Sequence, residues 1–126
     1  MKTPLFILAT ILIPVFTVNS AEVDFARDIR PILSDKCFFC HGPDEEHREA
    51  DLRLDLKESA FREIDGIAAF RAGKVEGSEA WHRIMTDEKD DLMPPPESNK
   101  ILTKREKELI RAWIENGAGW TEHWSF

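Results

Sequence analysis

Two cysteines and a histidine stand together early in the chain, in the order Cys37-x-x-Cys40-His41. Thiols at this spacing bind metals, form disulfides or attach to a cofactor, and the residue that follows them separates these uses. A histidine directly after the second cysteine completes the attachment signature of haem c. The two thiols reach the two vinyl groups on one edge of the porphyrin, and the adjoining imidazole binds the iron. The motif therefore predicts one covalently attached haem c, with His41 as an iron ligand.

Three other uses of the cysteine pair stay open at this point. A thioredoxin-like redox pair occurs in a βαβ context, whereas the residues around this motif predict helix, loop and helix. A structural zinc site needs four ligands, which Cys37, Cys40, His41 and His47 would have to supply although Cys40 and His41 are adjacent. A plain disulfide is compatible with an exported protein. The histidine that follows Cys40 favours haem over each of these.

A haem iron takes a second axial ligand, for which the chain offers Met93, Met85, His82 and His123. Met93 precedes three prolines, whose stiff backbone would hold the weakly binding thioether in place; filling a gap in the core is its alternative role. Met85 falls on the apolar stripe of a predicted helix, which indicates a core role, and His82 lies off that stripe. We therefore expect Met93 to bind the iron. His/Met ligation raises the reduction potential and suits an electron carrier.

Helices are predicted at both ends of the mature chain. The first spans 24–36, and Pro31 inside it must kink the helix or restart it. The last begins with a capping box of Thr103 and Glu106 and ends at Gly117. Their apolar stripes are Phe25, Ile29, Ile32 and Leu33 in the first helix and Leu109, Ile110, Trp113 and Ile114 in the last.

The middle of the chain predicts short elements and loops. Leucines alternate with charged residues over 52–56, which favours a short extended segment, and a weak helical turn follows over 57–63. Ser78 is positioned to cap a helix. That helix would carry on one face Trp81, Ile84 and Met85. The prolines of 90–96 favour extended polyproline geometry. The predicted fold is a small all-α domain with N- and C-terminal helices and long loops that wrap the haem.

The first 21 residues predict a secretory signal peptide. Lys2 precedes a 14-residue apolar run, Leu5–Val18, and the small residues Ser20 and Ala21 follow as cleavage sites. A membrane span needs about 20 apolar residues, so a run this short indicates cleavage rather than anchoring. We therefore expect an exported, for example periplasmic, protein with no stable membrane span after cleavage.

The composition argues against a nucleic-acid partner. The chain has 17 Lys and Arg against 24 Asp and Glu, which gives a formal charge of −7. Cleavage of the signal peptide would remove one more positive charge, that of Lys2. Nucleic-acid-binding domains carry basic surfaces instead. An acidic surface favours solubility, and it also suits a redox partner that has a basic docking patch.

The order of these features resembles a class I cytochrome c, and several strings resemble the planctomycete-type cytochrome c domain in particular. Those strings are Phe25–Leu33, Cys37–Pro43, Leu52–Asp55, Met93–Pro95 and Trp113–Ala118. The resemblance implies haem binding and electron transfer, with His41 and Met93 as axial ligands. The sequence departs from the family pattern at 71–74, where Arg-Ala-Gly-Lys stands in place of the family's usual Pro-Gly-Lys turn. Since such domains commonly lead a longer protein, we expect the domain to span 22–120 and 121–126 to begin a downstream region.

Three further residues receive roles around the haem, and a fourth is assigned to the core. Arg53 lies between two leucines in the sequence and is expected to pair with a haem propionate. The alternative is that it is a solvent-exposed charge at the edge of the domain. Trp81 is assigned as an indole N–H donor to a propionate. Pro43 is expected to pack beside His41 and orient the imidazole. Trp113 is expected to anchor helix to helix rather than to contact haem.

The leading functional hypothesis is an electron-transfer domain that performs no substrate chemistry itself. A haem enzyme or gas sensor with an open or labile sixth site is the first alternative. A non-haem, disulfide-bonded interaction domain of a cell-surface assembly is the second. Whether a longer parent protein is an enzyme is a separate question.

Overall fold

The computed structural model describes residues 2–5, 11–14 and 23–122. The predicted cleavage sites at Ser20 and Ala21, and the ligand candidate His123, lie outside these ranges. The described residues form four α-helices, in chain order α1 (Arg30–Lys36), α2 (Lys57–Phe61), α3 (Glu79–Met85) and α4 (Lys104–Glu115). Within the described ranges the only β pairing is an isolated bridge between Ile64 and Ile67, so the helical architecture is consistent with the predicted all-α class.

The first helix changes its winding just before Pro31. Phe25–Ile29 forms a π-helical turn in which the Arg30 N–H donates to the Phe25 carbonyl, and α1 continues from Arg30. In an uninterrupted α-helix, the proline ring would clash with the carbonyl of Arg27, four residues earlier. The wider π-turn precedes that point, so the interruption predicted at Pro31 takes the form of a change in winding.

Both ends of α4 form as predicted. The Thr103 hydroxyl accepts from the Glu106 N–H at 3.1 Å, and the Glu106 carboxylate accepts from the Thr103 N–H at 3.0 Å. At the other end Gly117 adopts a φ of +98°, and the Ala118 N–H donates to the Trp113 carbonyl at 2.9 Å. This is the bonding pattern of a glycine-terminated helix. Local signals alone therefore define the helix that closes the domain.

Replacing Thr103 by alanine is expected to destabilise the protein by about 1 kcal/mol, because the Glu106 N–H loses its side-chain acceptor. Chemical denaturation of the two proteins measures the difference. The matched control is Thr121→Ala, at an exposed threonine beyond α4, for which we expect a change within about 0.5 kcal/mol. Equal stability of the two variants would show that the capping box contributes nothing.

Trp113 joins the two ends of the chain in an aromatic core. Its side chain is 2% exposed, and its ring lies 5.7 Å from that of Phe25 and 5.1 Å from that of Phe70. The indole N–H donates to the Gly119 carbonyl at 2.8 Å. The ring of Trp120 stacks on that of Phe25, with the two ring centroids 4.2 Å apart. The predicted role of Trp113 as a helix–helix anchor is confirmed.

The predicted extended segment at 52–56 is wrong. Leu54 is buried and Leu56 is exposed, and no strand forms there. The Leu54 N–H instead donates to the His41 carbonyl at 2.8 Å, a single bond to a turn rather than part of a ladder. The helical turn predicted to follow is confirmed as α2.

Ser78 precedes α3 as predicted, but it does not cap the helix through its side chain. Its hydroxyl donates to the Lys74 carbonyl at 2.8 Å and accepts from the Arg71 N–H at 2.9 Å. The residue is fully buried, so the hydroxyl is used to close the preceding loop. The turn at 71–74 forms without the proline, with the Lys74 N–H donating to the Arg71 carbonyl at 3.1 Å.

Candidate functional site

The Cys-x-x-Cys-His motif forms a compact turn that continues directly from α1. The Cys37 N–H donates to the Leu33 carbonyl at 2.8 Å, and the His41 N–H donates to the Cys37 carbonyl at 2.8 Å. Both cysteines are half-buried free thiols. The rigid end of α1 therefore holds two thiols and an imidazole within five consecutive residues.

Burial raises the pKa of the Cys37 thiol to about 12, and the neighbouring Cys40 thiol adds to the increase. At neutral pH this thiol is protonated. Zinc binding and disulfide exchange both use the thiolate, so the environment of Cys37 disfavours them. A protonated thiol could supply both the sulfur and the hydrogen that a thioether link to a vinyl group of haem would need.

The His41 imidazole is half-buried, and its Nδ1 is a buried ring nitrogen without a hydrogen-bond partner. Burial lowers the pKa of His41, while backbone oxygens of Glu49 and Leu52 oppose the shift. The ring is therefore neutral at pH 7, the form that binds a metal. A buried polar atom left unpaired costs free energy and calls for an explanation. Two thiols, a neutral imidazole and that orphaned nitrogen fit the donor set of haem c.

Gly42, directly after the histidine, is required by the tightness of the turn. A Cβ atom at this position would lie 2.1 Å from the carbonyl oxygen of Phe38. That oxygen belongs to the backbone of the same turn and cannot move aside. No motif in the sequence pointed to this role, because it depends on how the turn closes.

The Arg48 side chain bonds to the two residues that directly follow His41. Its Nε donates to the Gly42 carbonyl at 3.0 Å, and a terminal guanidinium nitrogen donates to the Pro43 carbonyl at 3.1 Å. The Arg48 side chain is 16% exposed. Sequence reasoning overlooked this residue, since it is one arginine in a charged stretch. Pro43 is itself exposed, and its expected effect on the imidazole stays a prediction.

Replacing Arg48 by alanine is expected to cost about 2 kcal/mol of stability, because two carbonyls lose charge-assisted donors. Urea denaturation monitored by tryptophan fluorescence gives the value. As a matched control, Arg111→Ala removes an arginine that pairs with Glu115 one helical turn away and lies over the Trp81 ring, two weak contacts with a combined cost of about 1 kcal/mol. If both variants lose the same small amount, Arg48 does not hold this turn.

Met93 lies in a loop that is tied to α3. Its N–H donates to the Arg83 carbonyl at 2.9 Å, and its side chain is half-buried. Pro95 has the predicted polyproline conformation, with φ −66° and ψ 148°, and its carbonyl accepts from the Ser98 hydroxyl at 2.6 Å. The polyproline geometry predicted for 90–96 is thus confirmed at Pro95, whereas the Met93–Pro94 peptide bond is cis and a short 3-10 turn begins at Pro96.

The other ligand candidates are placed differently. Met85 is 50% exposed, so its predicted core position is wrong; it is the last residue of α3 and borders an open cleft. His82 is exposed, as predicted, and bonds to the Glu76 carbonyl at 2.6 Å. The His47 ring contacts the Asp44 carboxylate at 2.7 Å. Among residues 23–122, no three His, Cys, Asp or Glu side chains gather as a metal site, which gives the zinc alternative no support.

Of the two candidate propionate partners, Arg53 is already paired with a carboxylate. Arg53 binds both carboxylate oxygens of Asp55, at 3.1 and 2.7 Å. Trp81 is a buried core residue that also borders the cleft beside Met85, and the guanidinium of Arg111 lies 6.0 Å from its ring centre. The roles of Arg53 and Trp81 toward a propionate stay predictions.

The described elements follow in the order that the resemblance implies: a helix, a Cys-x-x-Cys-His turn, a Met-Pro loop and a closing helix. Residues 37–97 match the family model described as Planctomycete cytochrome C, and this segment contains both cysteines, His41 and Met93. The match confirms the resemblance to a planctomycete-type cytochrome c domain. The chain has no significant match among curated proteins or among solved structures. In the part of the chain that the structure describes, no helix has the length and hydropathy of a membrane span.

Proposed function

We propose that this chain is an exported electron-transfer domain that carries one covalently attached haem c with His41 and Met93 as axial ligands. The observation that carries the proposal is the turn after α1, where two thiols accompany a neutral imidazole whose buried Nδ1 lacks a partner. When bound, haem c would supply an iron centre that changes its charge by one electron. The family match over 37–97 supports haem binding in general.

In this proposal each residue of the site has a separate task. Cys37 and Cys40 form the two thioether bonds, which fix the cofactor to the end of α1. The backbone of His41 is held by two hydrogen bonds: its N–H donates to the Cys37 carbonyl, and its carbonyl accepts from the Leu54 N–H. Because both backbone groups are bonded, the imidazole starts from a fixed position.

Met93 would supply the second ligand from the loop that follows α3. Thioether sulfur is a weak ligand, so restricting its loop limits the entropy lost on binding. The bond from the Met93 N–H to the Arg83 carbonyl and the stiff proline segment provide that restriction. Methionine in this position raises the reduction potential relative to a second histidine, as an electron carrier requires.

The acidic composition supports a partner protein with a basic docking patch. Opposite charges speed the encounter of two proteins, and the rate falls as salt screens them. Electron-transfer partners usually meet through small, transient interfaces, so steering matters more than tight binding. Export is consistent with a haem c cofactor, because haem c is attached outside the cytoplasm. The expectation of export rests on the predicted signal peptide.

Carbon monoxide distinguishes an electron carrier from a haem enzyme or gas sensor. The reduced native protein is expected not to bind carbon monoxide on mixing, because Met93 occupies the sixth position. Met93→Ala, with that position open, should bind it at once and acts as the positive control. Rapid binding by the native protein, or peroxidase activity equal to that of the variant, would favour the enzyme or sensor.

A further inference from the structure

The loop that carries Met93 leaves α3 and returns to it. At the start of the loop, the Thr86 N–H donates to the His82 carbonyl at 3.0 Å. At its end, the Met93 N–H donates to the Arg83 carbonyl at 2.9 Å. The backbone therefore ties both ends of the loop 86–92 to the last turn of one helix.

The Arg83 side chain adds a second connection between α3 and this loop. Its Nε donates to the Glu79 carboxylate at 3.1 Å, one turn earlier on the helix. A terminal guanidinium nitrogen lies 3.9 Å from the carboxylate of Asp91, which is in the loop two residues before Met93. One planar guanidinium can face two carboxylates because its donors point in fixed, different directions. Arg83 thus joins the helix to the segment that directly precedes Met93.

This connection closes one side of a cleft of about 410 Å³. Glu79 and Asp91 line that cleft with Arg83 between them, so removing the guanidinium would leave two carboxylates that repel each other. The side chains of Arg83 and Glu79 are each 39% exposed and that of Asp91 is 64% exposed. Water weakens contacts this exposed, so their effect on overall stability is small. Their effect on where the loop lies is the larger consequence.

We propose that Arg83 is a positioning residue for Met93, which joins Glu79 to Asp91 and so holds the loop 86–92 in the place where its thioether reaches the iron. The inference rests on the haem function proposed above. Because thioether sulfur is a weak ligand, freedom in its loop lowers the fraction of molecules in which the sulfur is bound. An added ligand then competes more easily for the sixth position.

Imidazole binding to the oxidised holoprotein tests the inference, because this neutral ligand must displace Met93. We expect Arg83→Gln and Asp91→Asn each to tighten imidazole binding about threefold, as suits a partly exposed ion pair. The double variant should bind imidazole no more tightly than Arg83→Gln, since both substitutions remove the same contact. Unchanged affinity in either single variant, or effects that add in the double variant, would overturn the inference.

The two substitutions also separate position from charge. Burial lowers the pKa of His41 and the positive charge of Arg83 adds to the decrease, so this charge reaches the site. One substitution removes a positive charge and the other a negative charge, so a direct charge effect has opposite signs in the two variants. Loosening of the loop has the same sign in both. Imidazole binding that tightens in one variant and weakens in the other would contradict a positioning role.

Arg71→Gln is the matched control. The Arg71 guanidinium bonds to the Glu63 carboxylate at 2.8 Å, in a separate part of the chain. This variant should be less stable in urea and yet bind imidazole as the wild type does. Tightening as large as in Arg83→Gln would show that any lost ion pair loosens the site, which the inference does not allow.

Failure of the proposed function gives a different result. A wild-type protein without haem, or without the far-red sulfur–iron absorption band, would remove Met93 as the ligand and the inference with it. A wild-type protein that has the band, with unchanged imidazole binding in Arg83→Gln and Asp91→Asn, would contradict only the role of Arg83.

Discussion

Replacing Met93 by alanine is expected to leave haem covalently attached while abolishing the Met–iron bond. Attachment depends on Cys37 and Cys40, and no described hydrogen bond joins either cysteine to Met93. The oxidised variant should lose the weak far-red absorption band that arises from sulfur–iron charge transfer. Its reduction potential should fall by a substantial part of the roughly 0.8 V range that axial ligands control.

The control for this variant is Met85→Ala. Met85 is half exposed at the end of α3, so its removal should preserve both the band and the potential. A band that survives in Met93→Ala would exclude Met93 as the ligand. Loss of the band in Met85→Ala alone would assign the sulfur to Met85 instead.

Replacing Gly42 by alanine is expected to damage the attachment turn itself. The added methyl group would lie 2.1 Å from the Phe38 carbonyl oxygen, and the backbone on both sides must then shift. Overpacking of this kind costs about 3 kcal/mol, the upper part of the range for buried sites. Since the turn carries Cys40 and His41, the fraction of chains that acquire haem should fall severalfold as well. Denaturation and the ratio of haem to protein absorption measure the two effects.

Gly119→Ala is the matched control, because no atom lies within 4 Å of a Cβ built there. Its stability should stay within about 0.5 kcal/mol of wild type, with full haem content. Wild-type stability and haem content in Gly42→Ala would show that the turn closes in a different way. A comparable loss in both variants would point to a general effect of alanine rather than to this contact.

The terminal helices were predictable because their signals are local. The capping box of Thr103 and Glu106 and the interruption at Pro31 act within one or two helical turns, so neighbouring residues suffice to recognise them. Ser78 shows where such reasoning stops. It occupies a capping position, yet its hydroxyl bonds to Arg71 and Lys74, partners that only the folded loop brings within reach.

The candidate site likewise has one part that the sequence predicts and another that only the folded chain reveals. Cys37, Cys40 and His41 form a motif whose chemistry follows from its spacing, and the structure presents them in one turn. The support for that turn comes from Arg48 and from the backbone of 49–54, which reach it through the folded path of the chain. No periodicity in the sequence encodes those contacts.

The central claim is the covalent attachment of one haem, and the intact mass of the protein tests it most directly. The full chain is expressed together with the haem c maturation machinery, and the purified protein is weighed under denaturing conditions that remove any non-covalent cofactor. We expect the mass of the polypeptide plus one haem for the native protein, and the mass of the bare polypeptide for the Cys37→Ser/Cys40→Ser variant. A native protein with the mass of the bare chain, or of that chain less two hydrogens as in a disulfide, would contradict it.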